Sequence, residues 1–138
     1  MILLDSNVLS ALMADPPDER VERWLNRQPW ASVWTTSITI FELYFGLELL
    51  PTGRRRARLA EILEQIVKEL EDRIAGLDSI AAQRTAELMA ARQKQGRPRD
   101  LRDTLIAGIA LACHATLATR NTTHFEDAGI PLINPWKA

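Results

Sequence analysis

A chain of 138 residues, 46% hydrophobic and 25% charged, has the composition of one globular domain, long enough to bury roughly two-thirds of its unfolded surface without a metal or disulfide as a staple. Seventeen Lys and Arg against eighteen Asp and Glu give a net charge of −1, which excludes the whole-molecule field of a nonspecific nucleic-acid binder. The lone cysteine, Cys113, excludes an internal disulfide and reads as a packed thiol in a reducing compartment.

Met1 to Leu4 is a short apolar run ended by Asp5-Ser6-Asn7, which predicts a buried strand followed by a helix cap. The run is too short for a signal peptide or a membrane span, so a cytoplasmic protein is expected. The first helix should reach about Ala14. Asp15 is then expected to cap a second helix with Pro16 in its first turn, carrying Val21, Trp24 and Leu25. Ser32 to Thr35 reads as a strand, and Thr36-Ser37 caps an apolar helix from Ile38 to Leu50. Beyond Pro51-Thr52-Gly53, Leu59, Ile62, Leu63, Ile66, Val67 and Leu70 fall at the spacing of an amphipathic helix. Ile74 to Leu77 is a short strand, Asp78-Ser79 caps a helix ending near Gly96, and Asp100-Leu-Arg-Asp103 resembles a capping box for the next. Ala115 to Thr119 reads as a strand, Thr123 to Asp127 as one helical turn, and Ile130 to Ile133 as a final strand. This alternation predicts one α/β domain over residues 1–138, a mostly parallel sheet of five strands with helices on both faces.

In open α/β sheets ligands bind beyond the carboxyl ends of the strands. Asp5 stands there, after the first strand, and can also serve as a cap. Glu42 has Ile38, Phe45 and Leu49 at helical spacing around it, so its carboxylate should project from an apolar stripe. A buried carboxylate needs compensation, from an arginine or from a metal ion. Asp103 can act as the acid of the capping box or point into the same crevice as Asp5; Asp100 suits the purely structural role. Asn121, after Ala-Thr-Arg at the end of the fourth strand, can ligate through its amide oxygen, with Asn7 and Thr119 as polar neighbours. Three carboxylates and an amide, with no His/Cys set, describe an oxygen-lined site for Mg²⁺ or Mn²⁺. His114 and His124 read as packing residues. Such a site acts on phosphodiesters, and hydrolysis of a nucleic-acid backbone follows.

Charge is unevenly distributed. Residues 51–60 carry Arg54, Arg55, Arg56 and Arg58 with no acid, and residues 92–102 carry Arg92, Lys94, Arg97, Arg99 and Arg102 against Asp100 alone. The second segment runs into Asp103, which makes Arg97, Arg99 and Arg102 the favoured phosphate contacts. Fourteen of the seventeen cations are Arg, a bias that suits phosphate recognition but that a GC-rich genome also produces.

Met1-Ile-Leu-Leu-Asp5-Ser-Asn7, Thr36-Ser-Ile-Thr-Ile-Phe-Glu42-Leu-Tyr-Phe-Gly46, Gly96-Arg-Pro98 with Asp103-Thr-Leu-Ile-Ala107, and Leu117-Ala-Thr-Arg-Asn121-Thr-Thr-His-Phe125 occur in order, followed by Asn134-Pro-Trp136. Together they resemble the PIN-domain ribonuclease toxins of the VapC type, in their FitB-like branch. The resemblance implies a Mg²⁺- or Mn²⁺-dependent endoribonuclease with an acidic quartet on Asp5, Glu42, Asp103 and the position of Asn121, where many members have Asp. It also implies a homodimer, a cognate antitoxin that blocks the site, and a larger toxin–antitoxin complex on DNA. The stripe from Leu59 to Leu70 is a place for a partner helix to dock, or ordinary core. The alternative function is an inactive PIN-like module that binds RNA or protein, motivated by Asn121.

Overall fold

A computed structural model describes all of residues 1–138. Five strands, β1 (Ile2–Leu4), β2 (Val33–Thr36), β3 (Ile74–Ala75), β4 (Thr116–Ala118) and β5 (Leu132–Ile133), form one sheet in the order β3-β2-β1-β4-β5. Every pairing is parallel, with Ile2 opposite both Val33 and Thr116. The helices are α1 (Ser6–Met13), α2 (Glu19–Asn26), α3 (Ser37–Leu49), α4 (Arg54–Leu70), α5 (Ser79–Lys94) and α6 (Leu101–Cys113), with 3-10 turns at Trp30–Ser32, Thr122–His124 and Glu126–Ala128.

Successive strand residues point to opposite faces, and each face has its own core. Leu3 and Leu117 pack with Ile106, Ile109 and Phe125 beneath α5 and α6. Leu4 and Ala118 pack with Val8, Val21, Trp24 and Leu70 beneath α1, α2 and α4. A smaller cluster of Met13, Leu47 and Leu63 joins α1, α3 and α4. From β1 the chain runs outward through β2 to β3, then crosses back to β4 and β5. The connections therefore diverge between β1 and β4, and a crevice opens at the carboxyl ends of these two strands.

Two internal features hold the α5–α6 face. A Cβ on Gly108 of α6 would lie 1.8 Å from Thr85 Oγ1 and 2.9 Å from the Thr85 backbone N, so only glycine permits this approach. Arg92, at the end of α5, is buried. Its guanidinium donates to both Asp127 oxygens at 2.8 and 2.9 Å, to Thr104 Oγ1 at 3.0 Å and to the His124 carbonyl at 3.1 Å.

Several local expectations are corrected. Asp18, not Asp15, caps α2, its Oδ1 accepting from the backbone N of Arg20 at 3.0 Å and Val21 at 3.4 Å, so Pro16 stays outside the helix. The third strand ends at Ala75, where pairing with β2 stops. His114 is exposed, not packed, and closes α6 in a left-handed conformation with φ 51°. Cys113 is half-buried at the core edge. Arg92 is internal structure and leaves the basic surface of residues 92–102. No helix is long and apolar enough to cross a membrane.

Candidate active site

Asp5 leaves the end of β1 with its backbone N donating to Ala118 O at 3.0 Å, which fixes it in the crevice. Its Oδ1 accepts from Ser6 N at 2.8 Å as the α1 cap. Its Oδ2 accepts from the Thr119 hydroxyl at 2.7 Å and from Asn7 Nδ2 at 3.4 Å. Thr119 is fully buried just beyond β4, and its oxygen also accepts from Asn7 Nδ2 at 3.2 Å and from Asn121 N at 3.1 Å. Asn7 Oδ1 in turn accepts from Arg120 N at 3.0 Å. One hydroxyl thus ties together Asp5, Asn7 and the start of the segment that carries Asn121. Burial pushes the Asp5 carboxyl up from its ordinary value against these hydrogen bonds, and the charge of Asp103 adds to the rise.

Glu42 is partly buried on α3, but not for the reason the apolar spacing suggested. Phe41, Phe45 and Leu49 are exposed, while Thr39 and Leu47 face inward, so α3 is apolar nearly all round and Glu42 sits at the border of its inner face. Its Oε1 is buried with no hydrogen-bond partner. Its Oε2 lies 3.9 Å from Arg102 Nε, a loose pair whose side chains are 18% and 42% exposed. Burial first, then the charges of Asp5, Asp103 and Asp100, push the Glu42 carboxyl up to about 7 despite Arg102.

The first turn of α6 separates its two acids. Asp100 caps the helix, Oδ1 accepting from Arg102 N at 2.8 Å. Asp103 is not the reciprocal acid of a capping box. Its Oδ2 meets His124 Nδ1 at 3.1 Å, across 21 residues of sequence. That contact replaces the packing role expected of His124, and no local sequence signal announces it. The Asn121 side chain is exposed and makes no hydrogen bond; only its backbone is tied to Thr119.

The crevice thus brings Asp5, Glu42 and Asp103 into mutual electrostatic range, with Asn7 and Thr119 on Asp5 and His124 on Asp103. No group of three or more His, Cys, Asp or Glu side chains is drawn tightly enough to enclose an ion by itself. The donor set still suits a hard cation. An orphaned buried carboxylate oxygen beside two other acids needs positive charge, and Mg²⁺ accepts one or two carboxylates with water and substrate completing its shell. Of the three arginines expected to meet phosphate, only Arg102 borders the cleft at Glu42; Arg97 is on the exposed loop before α6, and Arg99 borders a separate cavity beside Arg92 and Thr104. Arg54, Arg55 and Arg58 line that cleft as well.

An all-parallel sheet with acids at its switch point matches a known family. Residues 2–130 match the PIN domain, and the chain belongs to the PIN-domain family. It is 38% identical over 138 residues to VapC ribonuclease Y4jK of Sinorhizobium fredii, covering 99% of each chain. It is 36% identical over 137 residues to Toxin FitB of Neisseria gonorrhoeae, again covering 99% of each. The crystal structure of FitAcB from Neisseria gonorrhoeae superposes with a TM-score of 0.91 at 35% identity, covering 100% of both chains. FitAB bound to an IR36 DNA fragment gives 0.90 at 34% identity, covering 99% of this chain and 96% of that one. Within the family, this chain is a VapC- and FitB-like toxin.

Proposed function

We propose that this VapC-type ribonuclease toxin hydrolyses RNA phosphodiester bonds at Asp5, Glu42 and Asp103 with a divalent cation, Mg²⁺ or in its place Mn²⁺. The observation that carries the reading is Glu42 Oε1, a buried carboxylate oxygen without a partner beside two further acids. Asp5, Glu42 and Asp103 would hold the ion, with Asn121 at the edge of the site. When bound, it supplies positive charge against the phosphate and acidifies a water for attack near neutral pH. The Thr119 hydroxyl and the Asn7 amide fix the Asp5 carboxylate, His124 orients Asp103, and Arg102 presents a guanidinium to a phosphate beside Glu42. Asp5→Ala and Asp103→Ala are expected to cut RNA cleavage by about 10²-fold or more with the fold intact. Wild-type cleavage by either variant would overturn the assignment. RNA retention without products, unaffected by Mg²⁺, would mark a binding module instead.

The relatives solved with FitA and DNA support pairing with a cognate antitoxin and a larger complex on DNA. An apolar groove of about 390 Å³ between α1, α2 and α4, lined by Leu9, Leu12, Leu25, Trp30, Ile62 and Ile66, suits an amphipathic antitoxin segment. The Leu59–Leu70 stripe therefore divides: Leu63 and Leu70 are core, while Ile62 and Ile66 edge this groove. Phe41, Tyr44, Phe45 and Leu49 form an exposed apolar face on α3 suited to a second copy of the chain in a homodimer.

A further inference from the structure

The cleft that Glu42 borders is about 810 Å³ and extends away from the three acids between α1, α3 and the start of α4. Four guanidiniums line it, Arg54, Arg55 and Arg58 from α4 and Arg102 from α6, against two acids, Glu42 and Asp15, with the hydroxyls of Ser6 and Ser10 on its α1 wall. Not all the arginines of α4 are spoken for within the chain. Arg56 pairs with Glu48 at 3.1 Å, and Arg58 donates to Met13 O at 3.0 Å. Arg54 and Arg55 are exposed and make neither a hydrogen bond nor an ion pair. They also occupy the first turn of a helix that has no acid there, where the helix dipole disfavours cations. Two unpaired cations placed against a local electrostatic rule, beside a catalytic pocket, point to a partner outside the chain.

We propose that Arg54 and Arg55, continued by Arg58 and Arg102, are a phosphate track along which the backbone of the substrate's single strand runs into the pocket at Glu42. The inference rests on the ribonuclease reading for its occupant. RNA fits better than an acidic protein segment because the track ends at Glu42, one of the three acids, and guanidinium forks match phosphate oxygens two at a time. A protein partner has a separate apolar groove farther along α4, toward its C-terminal end, whose rim carries Glu22 and Glu69. The basic surface serving the pocket is thus drawn mainly from residues 54–58, with Arg102 alone from 92–102.

The test is an Arg54→Ala/Arg55→Ala double variant of the full chain. Its binding to a fluorescein-labelled mixed-sequence RNA strand of about a dozen nucleotides is read by anisotropy in EDTA, between about 50 and 200 mM salt. The expected result is Kd weaker by about tenfold and a log–log salt slope shallower by about 1.4, for two phosphate contacts at about 0.7 each. In Mg²⁺, KM should rise by about tenfold with kcat within about threefold. Unchanged RNA affinity and slope would overturn the track. So would a fall in kcat at constant KM, or weakened binding of an octaglutamate peptide with RNA binding intact, which would assign the cleft to an acidic protein segment. Binding in EDTA is independent of cleavage, so an inactive wild type whose RNA affinity still drops on substitution would remove the ribonuclease reading and leave the track.

Discussion

Glu42 makes the stability of the metal-free protein depend on pH in a direction opposite to that of most carboxylates. Its proton affinity is raised on folding, so the protein gains stability from the neutral form below the ordinary value of 4.5 and loses it as pH climbs through about 7. That rise, at about 1.36 kcal/mol per pH unit, sets an upper limit of about 3.4 kcal/mol, of which about 2.5 falls between pH 5 and 8. The Glu42 side chain is 18% exposed and that of Arg102 42%, and screening by solvent on that open side discounts the effect to about 1–2 kcal/mol. Glu42→Gln retains the shape and removes the titration. Urea unfolding of both proteins in EDTA at pH 5 and pH 8 should show the wild type losing about 1–2 kcal/mol more than the variant. Other groups titrating in the window cancel in the comparison. Parallel pH profiles, within about 0.3 kcal/mol, would show that the buried oxygen is solvated and would remove the main support for a cation there. Mg²⁺ added at pH 8 should restore the wild type, by about 2.7 kcal/mol at a hundredfold excess over Kd, and the variant by less.

Other substitutions probe the frame around the site. Gly108→Ala forces a Cβ into Thr85 and should destabilise by about 2–3 kcal/mol, lowering the thermal midpoint by about 7 °C or more; Thr85→Ala should rescue it only in part, because the 2.9 Å clash with the Thr85 backbone N remains. Asp127→Ala should be worse than Arg92→Met in urea unfolding, about 3–5 against 2–3 kcal/mol. The reason is that Arg92 is left charged at 2% side-chain exposure, whereas a lone Asp127, 37% exposed, can hydrate. His124→Ala should weaken Mn²⁺ binding by about tenfold, measured by calorimetry, with little change in unfolding midpoint; unchanged affinity would show that the ring does not orient Asp103.

What the sequence made legible was local or periodic. A four-residue apolar run ended by Asp-Ser-Asn specifies β1 and the α1 cap without help from the rest of the chain, and Asp78 and Asp100 cap α5 and α6 for the same reason. The strand–helix alternation then places Asp5 and Thr119 at carboxyl ends of neighbouring strands. The failures have physical causes. Asp15-Pro-Pro-Asp18 offers two capping acids with nothing local to separate them, and the one that caps, Asp18, also accepts from Trp136 Nε1 at 3.2 Å, a partner 118 residues away. A helix apolar on most sides cannot reveal its inner face by spacing, hence the misassigned surroundings of Glu42. Arg92 looked like its basic neighbours because burial of a charge is decided by Asp127, 35 residues away. The His124 contact with Asp103, and the shared cleft of Arg54, Arg55 and Arg102, exist only after the helices pack.

The central position of β1 also bears on how the toxin is made. Asp5 is made well before the group that fixes it, because the hydroxyl that holds its carboxylate belongs to Thr119, 114 residues later. Until β4 emerges, one edge of β1 is unpaired, and Asp103 lacks His124. A chain cut short between Asp103 and Thr116 carries all three acids but lacks β4, Thr119 and His124, the parts that place Asp5 and Asp103. The arrangement of the three acids is complete only once β4 and the turn that carries His124 have joined the fold.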